Sequence, residues 1–170
     1  MNKQQRVLAI ASGGGHWHQL MQLREALPPH QTIYASPLPK AGTGLADEPY
    51  WRITDGNRDT KGKLLICLVQ LLLLIAWHRP HMVISTGAAP GYLAMRLARL
   101  HGARCLFIDS VANAGELSLS ARLARDSGYT VYSQWPEVAT AEKVNFAGAV
   151  FSALHYKTES VERPDREVAE

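Results

Sequence analysis

No stretch of this sequence concentrates lysine and arginine densely enough to form a nucleic-acid surface, although the chain is net positive by three charges. Nucleic acid is therefore not expected as a partner. Only two cysteines occur, Cys67 and Cys105. They are far apart, each inside an apolar run, which excludes a disulfide framework and suits two free thiols in a reducing cytoplasm. No long apolar h-region or cleavage site follows Met1, so export is not expected. No Cys, His or acid spacing matches a metal site, and no cofactor is expected. The Walker lysine pattern and the Gly-x-Ser-x-Gly elbow are also missing, which removes phosphate-loop NTPases and α/β-hydrolases. Disorder is not expected for the bulk of the chain, where 46% of residues are apolar and 19% charged.

At 170 residues the chain has the size of one domain. Residues 1–155 read as a single folded unit and 156–170 as a polar tail. From Lys157 onward five acids face three bases, which leaves the folded body five charges positive. Such a body tolerates phosphates and anionic headgroups.

A strand–turn–helix rhythm runs through the body. Val7 to Ala11 is a strand-like run ending in Ser12-Gly13-Gly14-Gly15, and a helix is expected from His16 to Leu27, before Pro28 and Pro29. Further strands are expected at Thr32 to Ala35, Tyr50 to Ile53, His81 to Ser85, Arg104 to Ile108, Gly128 to Tyr132 and Lys143 to Phe146. Between them, helices are expected at Lys63 to Trp77, Tyr92 to His101 and Leu117 to Arg125. Continuous apolar strands alternating with helices imply an α/β fold, a doubly wound parallel sheet of Rossmann type. Ligands of such sheets bind outside the carboxyl ends of the strands. That directs attention to three loops, Ser12 to His18, Ser85 to Gly91 and Asp109 to Glu116.

In the first loop, Ser12, Gly13, Gly14 and Gly15 let the backbone approach a phosphate or sugar, and the following helix start presents free N–H groups to an anion. A tight turn needing glycine for its geometry alone is the other explanation. A dinucleotide fingerprint is incomplete, because His18 stands where the third glycine belongs and no acid follows the second strand at Ala35-Ser36. His16 opens the helix where an imidazole can reach the crevice and accept a proton, or it merely binds its own turn. His18, two residues on, faces elsewhere and reads as solvated or capping. In the second loop Thr86 and Gly87 repeat the small-residue, hydroxyl-bearing chemistry of the first. Asp109, directly after a buried strand, is either a base and sugar ligand or the cap of the turn leading to Asn113.

Leu64 to Trp77 has a single polar break, Gln70, in 14 residues. A helix of that length spans about 21 Å and is short of the roughly 30 Å hydrocarbon core. A helix covering a sheet should still show water a polar stripe. Its absence points to lipid or protein on the outer side, with Lys61, Lys63, Trp77, His78 and Arg79 as interfacial flanks. Leu64, Leu68, Leu72, Ile75 and Trp77 are the candidate membrane contacts. A helix wholly buried within the domain is the alternative.

Five segments in order, Ser12-Gly13-Gly14-Gly15-His16, Val83-Ile84-Ser85-Thr86-Gly87-Ala88, Phe107-Ile108-Asp109-Ser110, Tyr132-Ser133-Gln134-Trp135-Pro136 and Asn145-Phe146-Ala147-Gly148, resemble a known family. It is the acceptor-side subunit of the two-part N-acetylglucosaminyltransferase of asparagine-linked glycosylation, with bacterial exopolysaccharide counterparts closer still. More distantly the chain is similar to the N-terminal half of the transferase that adds N-acetylglucosamine to the peptidoglycan lipid intermediate. The resemblance covers roughly residues 5 to 150.

What it implies is one half of a GT-B glycosyltransferase at the cytoplasmic face of the inner membrane. This chain would bind a polyprenyl-pyrophosphate-linked sugar acceptor, and a catalytic partner subunit would hold the UDP-sugar, with N-acetylglucosamine or glucuronic acid as the transferred unit. His16 or Asp109 is implied as base, while Ser12, Gly13, Gly14, Gly15, Thr86, Gly87 and Asn113 would hold acceptor and phosphates. The family's eukaryotic members carry an N-terminal anchor that is not expected here, leaving attachment to the 64–77 helix. A non-catalytic membrane-recruiting scaffold and a stand-alone nucleotide-binding regulator are the competing readings.

Overall fold

The structure is a computed structural model that describes residues 5–56 and 61–150. Seven parallel strands form one sheet in the order β3-β2-β1-β4-β5-β6-β7. They are β1 (Val7–Ile10), β2 (Thr32–Ser36), β3 (Tyr50–Arg52), β4 (Met82–Ser85), β5 (Arg104–Ile108), β6 (Thr130–Ser133) and β7 (Asn145–Phe146). Helices α1 (Gly15–Gln22), α2 (Lys61–His78), α3 (Ala88–Arg99), α4 (Leu119–Asp126) and α5 (Pro136–Glu142) connect them. This is the doubly wound α/β fold read from the sequence. The polar tail from 156 lies outside the described residues.

Several boundaries differ from the sequence reading for identifiable reasons. The first helix stops at Gln22 and tightens into a 3-10 turn at Arg24–Ala26. Helix α3 begins four residues early, at Ala88, because Pro90 sits in the first turn, where an N–H has no helical partner to lose. Helix α4 begins at Leu119 because the Ser118 hydroxyl caps it, accepting from the Ala121 amide at 3.1 Å. Helix α5 was not expected at all. Its signal is Pro136 at the first helical position, where a preset φ favours the turn.

Side chains alternate between two cores. On one face of the sheet Leu8, Ile10, Val83, Cys105 and Phe107 pack with Cys67, Leu71, Leu74 and Ile75 of α2 and Ala94, Met95 and Ala98 of α3. On the other, Val7, Ala9, Ile84 and Tyr34 pack with Trp17 and Leu20 of α1. Trp17 is fixed by donating to the Thr43 carbonyl at 3.0 Å and by edge contacts with Tyr34 and Tyr50. Both cysteines are free and buried, as expected, and burial pushes each thiol up to about 11.

Among the described residues, coverage of the α1 face is incomplete. A cavity of about 550 Å³ lies there over Met82, Leu106, Ile108 and Tyr132, with Leu23 on one side and Ala147 to Val150 on the other.

Helix α2 is 18 residues long and, by length and composition, apolar enough to cross a membrane. Its inner stripe, Cys67, Leu71, Leu74 and Ile75, is fully buried. Leu65, Ile66, Val69, Leu72, Leu73 and Trp77 stand 49–81% exposed on the outer side. The expected contact set is corrected accordingly. Ile75 belongs to the core, and Leu64 and Leu68 are half-buried on the flanks. Of the five, Leu72 and Trp77 face out. A helix without a polar stripe carries no phase information, so the sequence cannot orient it. Between Leu64 and Trp77 the one polar residue, Gln70, accepts the Thr54 backbone amide at 2.6 Å and so ties the helix to the segment after β3.

Candidate functional site

The strand order reverses between β1 and β4, so the loops that follow them open a crevice at the switch point. His16 sits there, in the first turn of α1. Its Nδ1 lies 2.9 Å from the carbonyl oxygen of Thr86, and the Thr86 hydroxyl donates back to the His16 carbonyl at 2.6 Å. A carbonyl only accepts, so Nδ1 carries the hydrogen. The neutral imidazole then has its lone pair on Nε2, the form required of a proton acceptor.

The loops are shaped around this ring. Gly87 has φ +142, and a Cβ there would stand 2.3 Å from His16 Nδ1. Gly14, the residue before α1, has φ +67, the left-handed region that favours glycine. Neither α1 nor α3 receives a side-chain cap at its start, so both present backbone N–H groups at the crevice.

A cavity of about 320 Å³ adjoins His16, lined by Ala88, Ser110, Asn113, Ser118 and Ser120 among others. Small residues and hydroxyls dominate its wall, a chemistry that fits sugar hydroxyls. Of the sequence candidates, His16 and Asn113 line it directly. Thr86 and Gly87 support the ring from behind. Ser12 is half-buried, with its hydroxyl 3.5 Å from the Gly13 carbonyl. Gly13, Gly14 and Gly15 form the turn leading into α1. His18 is exposed, as expected.

Asp109 is almost wholly buried. One carboxylate oxygen accepts from Asn113 Nδ2 at 3.0 Å and the other from the Ser118 backbone amide at 2.8 Å. The carboxylate thus spans the loop from Asn113 to Ser118 and shapes the cavity wall.

Two residues of this region received no role in the sequence reading, although Gln134 lies in one of the five segments that carry the resemblance. Gln19 and Gln134 are buried amides meeting behind the cavity, with Gln134 Nε2 donating to Gln19 Oε1 at 2.6 Å and to the Asp109 carbonyl at 2.8 Å. Gln19 donates to the Ser110 hydroxyl at 3.0 Å and accepts from the Val111 amide at 3.2 Å. The available signal was Gln19 standing three residues after His16, on the same helical face.

No family model matches this sequence, and no curated protein does. Solved structures do match in fold. Residues covering 79% of this chain superpose on 42% of Acinetobacter baumannii MurG, with a TM-score of 0.63 and 17% identity. A glycosyltransferase from Rickettsia africae gives 0.62 at 16% identity, over 87% of this chain and 43% of that one. UDP-N-acetylglucosamine 2-epimerase from Rickettsia bellii gives 0.61 at 11% identity, over 86% and 45%. At these identities the likeness is one of fold, a GT-B-type Rossmann domain. The chain spans less than half the length of each of these structures.

Proposed function

We propose that this chain is the acceptor-binding Rossmann unit of a GT-B glycosyltransferase, which transfers a sugar from a UDP donor to a polyprenyl-pyrophosphate-linked acceptor in polysaccharide assembly. The observation that carries this reading is His16, held by Thr86 in the tautomer that leaves Nε2 free beside a cavity walled by hydroxyls. Nε2 takes the proton of the acceptor hydroxyl, whose oxygen attacks the anomeric carbon of the donor. The bond from that carbon to the UDP oxygen breaks, its electron pair leaves on UDP, and the configuration inverts. The N–H groups at the starts of α1 and α3 face the acceptor pyrophosphate, with Gly13 to Gly15 allowing close approach.

Asp109 is assigned a positioning role, since both its oxygens are engaged within the loop. The donor site is assigned to a catalytic partner subunit, with N-acetylglucosamine or glucuronic acid as the sugar. One observation supports a partner: among the described residues, the α1 face of the sheet is left partly open. The outer face of α2 is assigned to the membrane surface on the cytoplasmic side, its inner stripe being committed to the core.

Co-purification from the native host, followed by incubation with labelled UDP-N-acetylglucosamine or UDP-glucuronic acid and native membranes, tests this. Label entering the lipid fraction only when both subunits are present supports it. A chain that purifies without a sugar-nucleotide-binding partner and transfers nothing rejects it. Transfer that survives loss of His16 would instead favour a non-catalytic recruiting subunit.

A further inference from the structure

Gln19 and Gln134 are buried, 2% and 4% exposed, in a region where apolar side chains would be easier to bury. Each is well satisfied. Both Gln134 N–H bonds are used, toward Gln19 and the Asp109 carbonyl, and its oxygen accepts the Val150 amide at 2.8 Å. The Gln19 oxygen accepts twice, from Gln134 and from the Val111 amide, while its nitrogen donates to Ser110. Through this pair the end of β5, the end of β6, helix α1 and the segment reaching Val150 meet at one point. A satisfied polar junction fixes a geometry that interchangeable apolar contacts do not.

The junction has a specific relation to the proton acceptor. Gln19 lies one turn beyond His16 on α1. The loop it grips, Ser110 and Val111, leads into Asn113, and Ser110 and Asn113 line the same cavity as His16. We infer that Gln19 and Gln134 are positioning residues, which set the separation between the His16 imidazole and the Ser110 to Asn113 wall and so hold the acceptor hydroxyl at Nε2. The catalytic part of this rests on the transferase reading above. The mechanical part does not. Trp135, whose indole donates to the Val111 carbonyl at 2.8 Å, braces the same loop from the β6 side.

The test uses the full chain with Gln134→Met and Gln19→Met, which keep length but remove the hydrogen bonds, together with the double variant. Amide hydrogen exchange is read at Val111, Ser118 and Val150. Exchange faster by about tenfold or more at both Val111 and Ser118 in Gln134→Met is expected, since Gln134 anchors Gln19, whose oxygen accepts the Val111 amide, and the Asp109 backbone, whose carboxylate accepts the Ser118 amide. Gln19→Met should reproduce it, and the double variant should add little to either single change. Faster exchange at Val150 alone, or a uniform rise across all strands, overturns the positioning role. Should Gln134→Met not fold, Gln134→Asn, which withdraws the same amide by one methylene, carries the comparison.

The second arm measures transfer of labelled UDP-sugar into native membranes by the chain with its partner. The amount of membrane giving half-maximal rate should rise several-fold and kcat should fall, with the UDP-sugar KM unchanged. An unaltered split in an active enzyme overturns the catalytic part of the inference. If the wild-type pair transfers no label, the transferase reading fails, while the exchange arm still decides the mechanical part.

Discussion

His16 and Thr86 hold each other through two hydrogen bonds, ring nitrogen to carbonyl at 2.9 Å and hydroxyl to carbonyl at 2.6 Å, across the point where the sheet reverses its order. The first fixes which ring nitrogen carries hydrogen, and the second fixes where the helix bearing the ring begins. Nitrogen NMR of the neutral form should therefore show His16 with its hydrogen on Nδ1. A dominant Nε2–H form would contradict the assigned geometry.

Gly87→Ala should damage the site and the fold together. The added methyl would stand 2.3 Å from His16 Nδ1 at a backbone φ of +142. A loss of about 1–3 kcal/mol in denaturant unfolding is expected from backbone strain of this kind, with displacement of the His16 ring signals. Gly115→Ala, where a methyl meets open space, is the control and should change neither.

The outer and inner faces of α2 should respond differently to substitution. Leu72→Lys with Leu73→Lys, both on the exposed side, should release the chain from zwitterionic vesicles in flotation while shifting unfolding by no more than about 0.5 kcal/mol per site. Leu71→Ala, fully buried, should cost about 2–5 kcal/mol through the cavity it leaves. Retained flotation of the double lysine variant would reject a lipid-facing role.

Much of this was legible in the sequence. Apolar runs such as Arg104–Ile108 and the glycine turns after Ala11 and Ser85 specify strands and their exits, because a parallel sheet buried on both faces demands such runs. The three loops on one edge follow from topology alone. What stayed hidden depends on tertiary phase. Nothing in Leu64 to Trp77 says that Ile75 turns inward and Leu73 outward, since every residue around the helix is apolar except Gln70. The Gln19–Gln134 contact spans 115 positions in sequence, and each amide taken alone reads as an ordinary surface residue. Asp109 was equally ambiguous until both of its oxygens found partners in its own loop.

The buried thiols give a pH dependence with a definite sign. Cys67 and Cys105 titrate near 11 in the folded chain, against an ordinary value of 9.0, because burial disfavours the thiolate. Below pH 9 both states keep the proton and stability is unaffected. Between about 9 and 11 the unfolded chain ionises first and binds fewer protons, so stability should fall as pH rises through that window. Thiolate absorbance in the native protein should stay flat to above pH 10, and native thiols should resist alkylation near neutral pH. Prompt native-state alkylation would contradict the burial of both groups.

The most direct measurement is the transferase rate of the chain with its partner when His16 is replaced by alanine, with native membranes as acceptor source and circular dichroism and co-purification confirming that fold and complex persist. Removal of a general base at Nε2 should lower kcat by about 10²–10⁴-fold. Turnover near wild type in an intact complex would contradict the assignment of His16 as the base.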